Sequence, residues 1–118
     1  MLIETLAMML AAASPAPVAA APAELSLEGR TLLRCSAAFA LVAHGQSAGD
    51  EKALAWPQLH PRGREFFVRA LAQLIDQTGL DREGVAQLAR DEVAGLQERG
   101  DVDQIMPACL VMLENSGV

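Results

Sequence analysis

At 118 residues, 52% of them hydrophobic and 20% charged, the chain is long enough for one folded domain and too apolar to be a disordered one. Its formal charge of −6 argues against nucleic-acid binding, because affinity for a phosphate backbone comes mainly from Lys and Arg; the same charge disfavours an anionic membrane surface. Aromatic residues make up only 3%, and much of the apolar share is alanine, so the core must be built largely from small side chains.

The chain opens on an apolar stretch. Leu6 to Ala13 is uninterrupted, Ser14-Pro15-Ala16-Pro17 breaks it, and small residues continue to Ala23. This is the layout of a signal peptide, with Val18 and Ala20 supplying the small side chains that signal peptidase reads at −3 and −1. Residues 1–20 are therefore expected to be a signal peptide cleaved after Ala20, 21–26 an Ala/Pro-rich linker, and 27–118 a single helical domain. The n-region departs from the usual pattern, carrying Glu4 and no Lys or Arg. Periplasmic or secreted placement follows from this reading. The alternative is a cytoplasmic protein with a disordered Ala/Pro tail. No stable membrane span is expected after processing, since eight apolar residues ahead of a proline cannot cross about 30 Å of hydrocarbon.

Four helical patterns follow, and no strand-like alternation of useful length is found. The first runs from about Leu27 to His44 and is apolar nearly all round, which marks it as the central, buried helix. Its alanines at 37, 38, 40 and 43 should let neighbouring helices approach closely. Residues 45–60 form a long connection punctuated by Gly45, Gly49, Trp56-Pro57 and His60-Pro61, with room for one helical turn at Asp50 to Ala55. The second helix spans about Arg62 to Thr78, with Phe67, Leu71, Leu74 and Ile75 on one face, widened by Phe66 and Ala70, and Gly79 as its stop. The third spans about Arg82 to Arg99, capped by Asp81 and ended by Gly100, so that it forms a tight hairpin with the second. The fourth spans about Val102 to Asn115, with Pro107 inside it as either an N1 proline or a kink. The fold class is all-α: a compact bundle of four main helices around a central apolar first helix.

The two cysteines lie in the first and last helices. An even, minimal count in an exported domain points to one disulfide, Cys35–Cys109. Closing a loop of that length is worth roughly 4 kcal/mol as an upper bound. Two free buried thiols, a redox thiol, or a zinc site that also uses His44 and His60 are the alternatives. The absence of Cys-x-x-Cys and of short ligand spacings weighs against the last two.

Arg34-Cys35 in an alanine-rich helix, Gly63-Arg64-Glu65-Phe66-Phe67, and Met106-Pro107-Ala108-Cys109-Leu110 together resemble a group of short, uncharacterised exported proteobacterial proteins. That resemblance covers the chain from about residue 30 onward and implies a helical domain with one cysteine pair, but no activity. A looser similarity links the chain to small periplasmic acid-stress chaperones of the HdeA type, whose cysteine spacing is shorter.

Some residues break the local pattern. Glu92 falls within the apolar stripe of the third helix, where a carboxylate needs a partner. Arg34 on the first helix, or Arg30, would serve in a buried ion pair. Trp56 either folds back over the core or anchors a partner. Arg62, Arg64 and Arg69 could together receive an anion. No catalytic, cofactor or metal motif is found. The expected function is therefore a non-catalytic periplasmic binding, interaction or chaperone-like protein with an unidentified protein partner. It predicts an apolar groove near Trp56 and the Met106/Met112 surface. The alternative is a small thiol-based or redox enzyme using Cys35 or Cys109.

Overall fold

The computed structural model describes residues 25–118, and the expected signal peptide and most of the linker lie outside them. The described residues form five helices and no strand: α1 (Leu27–Ser47), α2 (Glu51–Leu54), α3 (Arg62–Thr78), α4 (Arg82–Arg99) and α5 (Val102–Asn115). Four long helices and one short turn of helix match the pattern expected from the sequence. No helix among the described residues is long and apolar enough to cross a membrane.

The helix ends follow from local chemistry. The Ser26 hydroxyl accepts from the Gly29 N–H at the start of α1, and Asp81 Oδ1 accepts from the Gly84 N–H at the start of α4. Gly79 and Gly100 end α3 and α4 in the left-handed conformation, at φ 71° and 66°, where an L side chain would be strained. Thr78 seals the hairpin turn: its hydroxyl donates to the Leu74 carbonyl and accepts from the Leu80 N–H. α5 continues through Pro107 without breaking.

α1 extends three residues beyond the expected His44, because Gly45 is a packing glycine and not a stop. A Cβ at Gly45 would lie 2.7 Å from the Ala53 methyl, so its hydrogen is what lets α2 rest on α1. The extension carries Gln46 into the connection. There its amide nitrogen donates to the carbonyls of Ala53, Trp56 and Pro57 at 2.9–3.2 Å, and its Oε1 accepts from the Leu59 N–H at 3.1 Å. One buried side chain thus satisfies backbone groups that would otherwise be orphaned in a long connection.

α1 packs against every other helix. Ser26 Oγ meets Gln77 Oε1, and further along Phe39 meets Phe66 edge-on with centroids 5.2 Å apart, so α3 runs antiparallel to α1. Leu33 clusters with Leu74 and Val85 near the α3–α4 turn. A larger cluster at the other end joins Phe39, Val42, Leu59, Phe66, Leu96, Met106 and Leu113. Cys35 and Cys109 are joined there, with Cα atoms 5.2 Å apart, and each is only 2% exposed. The expected disulfide is therefore present and ties the central helix to the last one. On α3 the fully buried row is Phe66, Ala70 and Leu74, while Phe67, Leu71 and Ile75 are only half-buried. All six belong to the expected apolar face, and α3 turns its Phe66 edge toward α1.

Candidate functional site: an apolar cleft between three helices

The alanines of α1 divide into two sets. Ala38 is wholly buried beside Cys35. Ala37, Ala40 and Ala43, three apart, line one side of the helix; Ala37 is itself only 2% exposed, while Ala40 is open to solvent. α3 and α4 both pack on α1, but over this stretch they leave a cleft of about 510 Å³. Its floor is α1, with Ser36 and Phe39 joining the three alanines. One wall is α3, through Gly63, Arg64 and Phe67; the other is α4, through Ala86, Ala89, Arg90 and Val93. Gly63 sets the depth of the first wall, since a Cβ there would stand 3.3 Å from the Phe39 Cβ.

The volume exists because small side chains on α1 and α4 face each other while larger ones are spent elsewhere. Ala40 and the two arginines are exposed, which places the mouth at the surface. The lining holds no carboxylate, histidine or cysteine; its charged members are Arg64 and Arg90. Arg90 is held by Glu83 at 2.8 Å and by Gln87 on its own helix. Arg64 has no hydrogen-bond or ion-pair partner among the described residues. The hydroxyl of Ser36, a residue 2% exposed, likewise has no partner there.

The residues singled out from the sequence lie elsewhere. Glu92 and Arg34 do pair, Oε1 to Nε at 3.4 Å, with Arg99 as a second cation at 3.7 Å. The pair is not buried, however: the Glu92 side chain is 23% exposed and that of Arg34 53%. Leu96, one turn on, takes the buried position, and Glu92 sits at the edge of the α1–α4 contact. Trp56 is half-buried against the main core, and its indole N–H donates to Asp103 Oδ1 at 3.2 Å, bridging the connection to α5. A smaller depression of about 240 Å³ lies beside it, with Asp50, Lys52 and Asp103 among its walls.

The groove expected at the Met106/Met112 surface is not where the apolar cleft lies. Met106 is fully buried and Met112 packs against the core. The trio of arginines is largely spoken for: Arg62 binds Glu114 and the Val118 main-chain oxygen, and Arg69 binds the Ser116 carbonyl, while Arg64 lines the cleft and, with Arg69, a separate depression of about 390 Å³. The zinc arrangement fails because the disulfide consumes both sulfurs, and no group of three or more potential metal ligands gathers among the described residues.

The cleft itself was missed. Its one sequence signal, alanine at 37, 40 and 43 opposite alanine at 86 and 89, reads equally well as tight helix packing. Compared with family models, curated proteins and solved structures, the chain matches none.

Proposed function

We propose that this chain is an exported, non-catalytic binding protein, periplasmic or secreted, that holds an apolar ligand in the cleft between α1, α3 and α4. The observation that carries this reading is the cleft. Its volume of about 510 Å³ lies within the ~300–1,000 Å³ range typical of small-molecule sites. Its walls are apolar with a few polar groups, which is how such sites combine burial with orientation.

Export is supported by the signal-like residues 1–20 and by the Cys35–Cys109 disulfide, a bond characteristic of oxidising compartments. The alternative, thiol chemistry at Cys35 or Cys109, needs an accessible thiolate. Both sulfurs are instead bonded to each other and buried at the α1–α5 contact.

Two measurements test the reading. Intact mass of the protein recovered from its native cell fraction should correspond to a chain beginning at Ala21, lighter by two protons for the disulfide. A full-length, reduced chain in the cytoplasm would refute export. For binding, the fluorescence of a neutral apolar probe should rise on mixing with the folded protein and saturate. Ala40→Trp should abolish that rise while shifting the melting temperature by no more than a few degrees. A signal unchanged by Ala40→Trp would remove the cleft from the account.

A further inference from the structure

The cleft has cationic residues at its mouth as well as an apolar surface. In a chain of net charge −6, both charged residues lining the cleft are cations, one on each wall. Arg64 is exposed at the mouth with its donors unspent among the described residues. An unpaired guanidinium presents a planar fork of N–H groups that matches the oxygens of a carboxylate or phosphate. The rest of the lining is apolar apart from Ser36 on the floor, whose hydroxyl is buried.

Resting on the binding reading above, we propose that the cleft takes a single-chain anionic amphiphile. The alkyl chain lies against Phe39, Phe67, Val93 and the facing alanines, and the anionic head is held at the mouth by Arg64, with the Glu83-paired Arg90 on the opposite wall. A second copy of this chain suits the cleft less well. A two-fold contact through this face would bring like arginines toward one another, and the lining offers no carboxylate to offset them.

Calorimetric titration of the full chain with ten-carbon probes tests this, at concentrations below micelle formation. Decanoate and decyl phosphate should bind about tenfold or more tightly than decanol, the factor expected for a charge-assisted hydrogen bond. Decyltrimethylammonium should bind most weakly. Arg64→Gln should bring the two anions down toward decanol and leave decanol itself unchanged. Decanoate ahead of decyl phosphate would support a free fatty acid as the source, and the reverse order a phosphate-bearing lipid.

Equal binding of decanoate and decanol would overturn the anionic preference while leaving the cleft an apolar site. An anion preference that survives both Arg64→Gln and Arg90→Gln would overturn the placement of the head. Failure of all four probes would overturn the binding reading along with this one. A dimer by light scattering that dissociates on Ala40→Trp would replace the amphiphile with a second copy.

Discussion

The two sides of α1 are built from the same kinds of residue and end in opposite states. Toward α5, Cys35, Ala38 and Val42 are buried in one cluster with Met106, Cys109 and Leu113 and with Leu96 of α4, and a disulfide closes the contact. Toward α3 and α4, the buried Ala37 and the more open Ala40 and Ala43 line a cleft whose walls include Ala86 and Ala89 beside Phe67 and Val93, and the space between them stays open. Alanine is neutral between these outcomes. Where a partner helix brings Leu, Met or Phe, an alanine makes room and the contact fills. Where both sides bring alanine and the flanking helices are already held by other contacts, the gap remains. Here α3 is held by the Phe39–Phe66 contact and α4 by Leu96, so neither moves in to close the cleft.

If the closed side carries the stability and the open side the function, substitutions on the two sides should separate. The largest effect is expected from the Cys35→Ser/Cys109→Ser double variant. The bridge closes a loop of sequence separation 74, and removing it should cost about 4 kcal/mol, read as a lower denaturation midpoint with an unchanged helical spectrum. Next is Leu96→Ala, which removes a side chain with no exposed surface from the core at the α4 contact. It should cost about 3 kcal/mol by the same measurement.

Trp56→Phe keeps the ring over the core but loses the N–H donated to Asp103, so about 1 kcal/mol is expected. Glu92→Gln should cost less than about 1 kcal/mol, because the Arg34 and Arg99 partners share a solvent-exposed site, and the difference should shrink in high salt. The smallest change is expected at Ala40→Trp, within about 0.5 kcal/mol, since Ala40 is exposed on a helix. Only this last variant should remove binding. A closed-side variant that abolished binding while still folded would break the comparison.

The sequence made the closed side more legible than the open one. The helices announced their ends through Asp81, Gly79 and Gly100, whose roles depend on the backbone within a few residues. The cysteine pair was readable because two thiols in helices that must pack have few other fates. Gly45 reads as a stop because its role depends on α2 arriving from elsewhere and bringing Ala53 against it, and for the same reason no local pattern marks Gln46, a polar residue buried by the connection it organises.

Glu92 was placed one step too deep, since periodicity alone does not separate the edge of a stripe from its centre. For Trp56, covering the core and anchoring a partner both remain open in the sequence, and its Asp103 contact is a long-range one that no local pattern encodes. The cleft is the hardest case. It is a volume that side chains fail to fill, and the pattern that makes it is the pattern of tight packing.

The most direct test of the central claim is a methyl-resolved NMR titration of the folded protein with decanol, a neutral probe that any apolar binding cleft should accept. The methyl signals of Ala37, Ala40, Ala86 and Ala89 should shift together and saturate, while those of Met106 and Leu113 on the closed side stay in place. Shifts centred on Met106 and Leu113, or no shifts at any of these methyls, would contradict it.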